Sequence, residues 1–415
     1  MNRSGVNAMS RVRREFAEGI LKKHLRYFFA CLFALGLWAA SGGKAFGLDE
    51  SGWKFQTLGD AELSYETNVF NLSSDQIDRL EAGRPEDEIS GRYDDMDSVD
   101  DAILTPRLRL EMNGPGLFSR DIQIRPGILY HFYSQNEKKG HLELGLDLEQ
   151  EVGAHETLGL EISYAPDVFK KNYLSDATDL TGSVSASERV YEPATYDDAV
   201  IDLTYRRRLR KNPSPSAIES VYGEVLLGYQ NKEYEDPFEN RSEDSIRLGA
   251  GLDTEFNKIT LAVSYLFEYV ETPGENEVLI LDEADFNVDF NSDGDALDTN
   301  IRAEQKVDRS RLDHTIAVKA SAKLNKDWTG EAKYDLRLQD YKSAEPFDAA
   351  YRDREDIRHR IGLGVEREFG RRWSVGLGFV WAHEEADKGD LPNIDPEEPK
   401  SYDNITVSAG VSYRL

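Results

Sequence analysis

The segment over residues 285–300 has the residue types and spacing of a cation-binding loop. Asp289, Asn291 and Asp293 lie on alternate residues, and a glycine follows at the sixth place of the pattern. Oxygen ligands at this spacing converge on one hard cation, and the glycine permits the sharp turn that calcium loops need. Asp295 would add its backbone carbonyl at the seventh place. We therefore predict that these four residues bind calcium. The competing interpretation is a plain acidic loop, because the twelfth place is Asn rather than a bidentate carboxylate.

Catalytic chemistry finds little support elsewhere in the sequence. There is no Gly-x-Ser-x-Gly sequence, no His-Glu-x-x-His sequence and no glycine-rich phosphate loop. The histidines beyond the first 50 residues are widely scattered, at positions 131, 141, 155, 314, 359 and 383. The single cysteine, Cys31, allows neither an intramolecular disulfide nor a cysteine-based zinc site. We expect no enzymatic activity.

The overall charge argues against another class of function. The 415 residues include 50 Lys and Arg against 78 Asp and Glu, a formal net charge of −28. A nucleic-acid partner is not expected, because a phosphate binder needs a concentrated basic surface. Aromatic residues make up 10% of the chain, a supply typical of β-strands rather than of disordered acidic tails.

The first 47 residues are predicted to be a cleavable signal peptide, which leaves residues 48–415 as the exported protein. A basic leader precedes an apolar run that starts at Tyr27, and Ala45-Phe46-Gly47 offers a small-x-small cleavage pattern. The apolar run of about 16 residues is shorter than the roughly 20 that a transmembrane helix needs. A membrane anchor and a lipoprotein with its lipid on Cys31 are the two alternatives.

The rest of the chain alternates apolar and polar residues with a period of two. The final segment shows the pattern best, with these residues on one face: Ile405, Val407, Ala409, Val411, Tyr413 and Leu415. The residues between them are polar or small. Side chains alternate across a strand, so this pattern predicts strands with one apolar and one polar face.

About fourteen such strands are predicted. They cover residues 58–70, 102–113, 120–135, 141–152, 157–170, 196–210, 217–233, 244–257, 258–272, 309–324, 328–342, 355–370, 372–385 and 402–415. Short links alternate with longer acidic segments, the exception being a short link at 136–140 where a long one is expected. Short turns at one end and long loops at the other are typical of an outer-membrane barrel. We therefore predict an all-β fold, a transmembrane antiparallel up-and-down β-barrel; an exported soluble β-protein is the alternative.

In such a barrel the apolar face meets lipid and the polar face lines the lumen. Aromatic residues on the apolar face near the strand ends are expected to form two girdles. The bases predicted to point inward are Arg107, Arg109, Arg125, Arg206, Arg208, Arg247, Lys319, Lys333, Arg337, Arg358 and Arg360. The acids predicted to point inward are Glu111, Glu143, Asp147, Glu149, Glu161, Asp202, Asp253, Glu255, Glu268, Glu331, Asp335, Glu366 and Glu368. These charges either form a transverse field or pair across the lumen and close it.

Two short segments add resemblances. The chain ends Val411-Ser-Tyr413-Arg-Leu415, which resembles the C-terminal strand by which the insertion machinery recognises bacterial barrels, with Leu in place of the usual Phe or Trp. The segment Leu63-Ser-Tyr65-Glu-Thr-Asn68-Val69-Phe70 resembles the Tyr-x-x-Asn-Val-Phe opening of the putative beta-barrel porin 2 group, which includes outer-membrane proteins linked to exopolysaccharide export. The second resemblance implies an outer-membrane, pore-like barrel without enzymatic activity.

Two functions follow from the sequence. The first is a porin-like outer-membrane channel for polar solutes or an exported polymer. The second is a closed structural or binding barrel whose acidic loops engage calcium, lipopolysaccharide or another surface partner. Membrane lipid, lipopolysaccharide and the barrel-insertion machinery are the expected partners.

Overall fold

The computed structural model describes residues 52–82, 91–94, 96–174, 190–211, 220–273, 276–281, 301–306, 308–343, 348, 351–370, 372–387 and 401–414. The predicted signal peptide and the predicted calcium ligands Asp289, Asn291, Asp293 and Asp295 lie outside these residues, so both stay predictions. Among the described residues, no helix is long and apolar enough to cross a membrane.

Sixteen strands are described. They are β1 (Lys54–Glu66), β2 (Asp101–Pro115), β3 (Asp121–Tyr133), β4 (His141–Gly153), β5 (Glu156–Leu174), β6 (Tyr191–Lys211), β7 (Ser220–Tyr234), β8 (Glu243–Phe256), β9 (Ile259–Glu271), β10 (Asn276–Leu281), β11 (Ile301–Lys306), β12 (Arg311–Lys323), β13 (Trp328–Tyr341), β14 (Glu355–Phe369), β15 (Trp373–Asp387) and β16 (Ser401–Arg414). A short helix, α1 (Ser74–Ala82), lies between β1 and β2.

Fourteen of these strands form one closed antiparallel barrel, which confirms the predicted fold and strand number. Each barrel strand pairs with its neighbour along the chain, and β16 pairs with β1 to close the ring. The remaining two strands, β10 and β11, form a separate hairpin inside the connection between β9 and β12. The sequence predicts a long acidic segment here, with the candidate calcium loop inside it, and does not predict the hairpin, because strands of six residues are too short to stand out in the alternation.

The connections alternate as predicted. We call the end with the short links, such as Asn257-Lys258, the turn end; both the start of β1 and the end of β16 lie there. The opposite end is the loop end. Its first two connections are loop 1 (residues 67–100) and loop 2 (residues 134–140).

The outer face of the barrel is apolar and exposed. Leu63, Val225 and Leu377 are each more than half exposed, and large aliphatic side chains on most other strands are exposed in the same way. A soluble protein does not leave an apolar surface of this extent in water. The outer face is therefore the lipid-facing surface of a transmembrane barrel.

Aromatic residues border this surface, as predicted. At the turn end the Trp373 ring packs against Tyr413 with 4.4 Å between centroids, and Phe369 is paired with Trp373. At the loop end Tyr130 packs against Phe132 at 4.3 Å. Aromatic rings are favoured where strands leave the hydrocarbon layer, because one edge of each ring can meet water.

Candidate functional site

The candidate site is the polar inner wall of the barrel. The sequence predicts a set of charged residues that point inward. The strand registers place all of them on one face, opposite the exposed apolar side chains. On β14, for example, Ile361 and Leu363 face lipid, and Arg360 and Gly362 therefore face the lumen. Alternation within single strands was sufficient to predict this face.

Acidic residues are concentrated on one side of the lumen. Asp147 on β4 is the register partner of Glu161 on β5, and Glu161 is in turn the partner of Asp202 on β6. Three carboxyl groups therefore lie side by side near the middle of neighbouring strands. Glu143 lies on the same face of β4.

A group of basic residues lies on the opposite side. Lys319 on β12 is the register partner of Lys333 on β13, and Arg337 on β13 is the partner of Arg358 on β14. Arg360 lies two residues along β14 on the same face. The ring order places β5 and β14 seven strands apart in either direction, so these strands are diametrically opposed. We call the first group (Glu143, Asp147, Glu161 and Asp202) the acidic wall and the second (Lys319, Lys333, Arg337, Arg358 and Arg360) the basic wall. The inner face of β12–β14 also carries carboxylates, among them Glu331, Asp335, Glu366 and Glu368.

The exposure of these side chains shows that the middle of the lumen is open to a molecule of the size of water. The side chains of Lys319 and Lys333 are 49% and 45% exposed although both point inward, and Arg360 is also exposed. Inward-facing groups nearer the loop end are instead buried, among them Asp313 at 1% and Asp356 at 2%. The inward-facing side chains of β12–β14 are therefore less closely packed in the middle than at the loop end.

Ion pairs run along the walls rather than across the lumen. Arg125 bonds Glu149 on the next strand at 2.5 Å, and Arg247 on β8 bonds Asp202 on β6 at 2.9 Å. All ion pairs between inward-facing residues that the structure describes join strands at most two positions apart. Of the two arrangements expected from the sequence, the described residues thus favour the transverse field.

A cavity of about 210 Å³ opens from the inner wall near the loop end. Its charged lining residues are Lys232, Glu243, Glu268, Arg311, Arg337 and Arg358. Arg311 and Glu243 form a two-point ion pair with both N–O distances at 3.1 Å, and Arg311 also contacts Asp313 at 3.3 Å. Arg311 is thereby held in place by carboxylates on both sides.

Loop 1 is folded against the barrel rim by the residues of the Tyr-x-x-Asn-Val-Phe segment. The first strand was predicted to reach residue 70, but β1 ends at Glu66 because Asn68 turns the chain. The Asn68 side chain donates to the Leu72 carbonyl at 2.7 Å and accepts from the Leu72 N–H at 2.8 Å. Phe70 then packs edge-on against Tyr93 at 5.5 Å, within a small core centred on Leu72.

Asp101 and Asn136 join loop 1 to loop 2. The fully buried Asp101 carboxylate accepts the backbone N–H groups of Ser134 and Asn136, each at 2.8 Å. The Asn136 side chain donates to Asp101 at 2.9 Å and accepts from the Asp97 N–H at 3.1 Å. The short link at 136–140 was the predicted exception to the alternation of short and long connections. It lies where loop 1 contacts the barrel rim.

Lys139, at the end of loop 2, is half-buried beneath loop 1. Its ammonium lies 4.4 Å from the centroid of the Phe70 ring. Burial lowers the pKa of Lys139 to about 8, and the nearby Lys170 ammonium acts in the same direction. Glu66 and Asp101 oppose these effects only in part.

One signal in loop 1 was available in the sequence and missed. Ser73 and Gln76 form a capping box at the start of α1: the Gln76 N–H donates to the Ser73 hydroxyl at 3.2 Å, and the Ser73 N–H donates to Gln76 Oε1 at 2.9 Å. The Ser-x-x-Gln spacing predicts such a helix start. The partnership of Asp101 with Asn136 has no comparable local signal, since 35 positions separate the two residues.

The sequence matches no protein-family profile and no curated protein. Solved structures that resemble the chain include the TodX monoaromatic hydrocarbon channel deltaS2 mutant, with 11% identity over 88% of this chain and 90% of that one and a TM-score of 0.42. The outer-membrane channel DcaP of Acinetobacter baumannii has 11% identity over 88% and 98%, with a TM-score of 0.40. The anion-selective porin from Comamonas acidovorans has 11% identity over 88% and 99%, with a TM-score of 0.35. By its own architecture, closed, apolar outside and charged inside, the chain is an outer-membrane β-barrel.

Proposed function

We propose that the protein is a porin-like channel that lets polar solutes cross the outer membrane. The observation that carries the proposal is the open middle of the lumen, where carboxylates on β4–β6 face ammonium and guanidinium groups on β12–β14. Opposed walls of fixed charge orient dipolar and charged solutes and favour them over apolar ones. Membership of the putative beta-barrel porin 2 group, and an exported polymer as the cargo, are finer parts of the same proposal.

Ion conductance across a planar bilayer tests the proposal directly. Folded protein in a KCl gradient is expected to give stable ohmic steps with a measurable reversal potential. Replacing Arg360 with Gln removes a positive charge from the lumen and should shift selectivity toward cations. Replacing Glu161 with Gln should shift it toward anions. Each change is expected to alter the permeability ratio by roughly twofold.

A matched control lies on the same strand as Arg360. Arg367 faces outward, 4.6 Å from the Phe369 ring centroid and 5.4 Å from that of Trp328. The Arg367→Gln change removes the same charge from the lipid-facing surface and should leave the reversal potential unchanged. Silence from protein that is shown to be folded would reject the channel and favour the closed structural or binding barrel.

A further inference from the structure

Two arginines that line the cavity are direct neighbours across strands. Arg337 and Arg358 are register partners on the inner face of β13 and β14. Like charges opposite each other in a sheet destabilise it unless something compensates them. The other like-charge pair on this wall is compensated within the sheet, since Lys319 bonds Glu331 at 2.8 Å and Lys333 bonds Asp335 at 3.1 Å.

The two arginines are compensated unequally. Arg337 donates one hydrogen bond to Asp313 at 2.6 Å. Arg358 forms no ion pair within 4.0 Å in the described part of the chain. Its register partner on β15 is Glu384, which acts on it electrostatically at longer range, and Tyr402 is its hydrogen-bonding neighbour. A guanidinium group can bind a carboxylate through two parallel N–H···O bonds, and two adjacent groups can share one.

The remaining lining of the cavity fits a hydroxylated molecule. Gln230, Ser245 and Thr315 bring an amide and two hydroxyl groups to the same space, and Leu266 is the apolar member of the lining. Gln230 donates to Asp198 at 2.8 Å and Ser245 donates to the lining residue Glu268 at 2.7 Å, so both side chains offer their oxygen atoms to solute hydroxyl groups. A volume of about 210 Å³ lies below the roughly 300–1,000 Å³ of pockets that hold drug-sized ligands. The cavity therefore suits a single small solute of about monosaccharide size.

We propose that this cavity is a binding site for small hydroxylated carboxylates, with the carboxylate held between Arg337 and Arg358. The inference deepens the proposed channel function, on which it rests, by naming a class of solute that the lumen binds on its way through. Gln230, Ser245 and Thr315 bond the solute's hydroxyl groups, so that both the charge and the hydroxyls contribute to the affinity.

Equilibrium binding to the folded, full-length protein tests the site without relying on conductance. The probe is glucuronate, measured by titration calorimetry in detergent. Glucose lacks the carboxylate, acetate lacks the hydroxyls, and inorganic phosphate is a different oxyanion. Glucuronate is expected to bind saturably and at least about tenfold more tightly than any of the three. Equal binding of acetate, or tighter binding of phosphate, would overturn the assigned solute class.

Substitutions locate the site. Arg358→Gln is expected to weaken glucuronate binding at least about tenfold, and Arg358→Lys to restore only part of it, because ammonium cannot form the two-point contact. Arg360→Gln, two residues away on the same face, should leave binding within about twofold of the wild-type value. Equal losses in both Gln variants would show a diffuse field rather than a site. Glucuronate binding without ion conductance would reject the channel function and support the binding site. Ion conductance without glucuronate binding would support the channel function and reject the binding site.

Discussion

Asp101 is the side chain on which the rim of the barrel depends most. Its carboxylate is fully buried and accepts hydrogen bonds from Ser134, Gln135 and Asn136. A buried carboxylate is tolerated only when its hydrogen bonds are made, and the donors are equally costly to leave without an acceptor. The position therefore requires this side chain and not a neutral one of similar size.

Replacing Asp101 with Ala should destabilise the protein by about 3 kcal/mol, because several buried donors lose their acceptor. Urea unfolding in lipid vesicles, followed by tryptophan fluorescence, measures the change. Asp94→Ala removes an exposed carboxylate from the same loop and should stay within about 0.5 kcal/mol of the wild-type value. Equal effects of the two changes would contradict the role given to Asp101.

Gly228 on β7 leaves room for the ion pair between Asp202 on β6 and Arg247 on β8. A Cβ atom at Gly228 would lie 2.0 Å from Asp202 Oδ1, in the path of the bond between Asp202 on β6 and Arg247 on β8. Gly228→Ala should therefore break this pair and cost about 1–3 kcal/mol. Gly145→Ala is the matched control, since a Cβ atom there meets nothing within 4 Å. The same unfolding measurement distinguishes the two.

The low pKa of Lys139 predicts a pH dependence. The ordinary pKa of lysine is 10.5 and that of Lys139 in the folded protein is about 8, so unfolding takes up a proton between these values. Stability should consequently rise as the pH increases from about 8 to about 10.5. Relative to a Lys139→Met variant, the wild-type unfolding constant should fall at least about tenfold between pH 7.5 and pH 10. Parallel pH profiles for the two proteins would contradict the lowered pKa.

The strand β16 closes the barrel and carries part of the aromatic border. Tyr413 packs on Trp373 of β15 and is the register partner of Gly59 on β1, so it lies where the first and last strands meet. Tyr413→Ala should lower thermal stability by about 2 kcal/mol and reduce the yield of inserted barrel. Ser412→Ala, on the inner face of the same strand, should leave both unchanged. Heat-modifiable migration on a gel reports the folded fraction.

Strands were predictable to the extent that their two faces differ in polarity. The alternation from Asn404 to Tyr413 identifies the outer face of β16 without any knowledge of its partners. Near the loop end the pattern fails: β5 continues to Leu174, beyond its predicted end, through irregularities near Asp167 and Lys170. Each extra residue at a bulge shifts the side chains that follow, so period-two counting ends there.

The opposed charged walls predict a dependence on salt. Their effect on a passing ion extends over about the Debye length, roughly 10 Å at 0.1 M salt and 3 Å at 1 M. The difference in reversal potential between the Arg360→Gln and Glu161→Gln variants should therefore shrink by about half or more between these concentrations. Reversal potentials in matched KCl gradients give the comparison. A difference that persists at 1 M would point to direct ion binding rather than to a field.

The walls themselves could not be predicted from the sequence, although their residues could. Alternation places Glu161 and Arg360 in the lumen, but it leaves open which strands they face. That depends on closure of the ring, which sets β5 opposite β14, and on the register, which sets Arg337 beside Arg358. Closure and register follow from strand number and stagger together, and these are properties of the complete barrel.

The hydrogen bonds between loop 1 and loop 2 determine which residues form the surface at the loop end of the barrel. Gly91 of loop 1 lies against the Tyr191 ring at the start of β6, so the loop reaches from β1 across the ends of several strands. A peptide inserted beside Asn136 would displace loop 1 and break the hydrogen bonds that Asn136 makes with Asp97 and Asp101. Sequence variation at this rim is therefore tolerated only where it leaves Asn68, Asp101 and Asn136 in place.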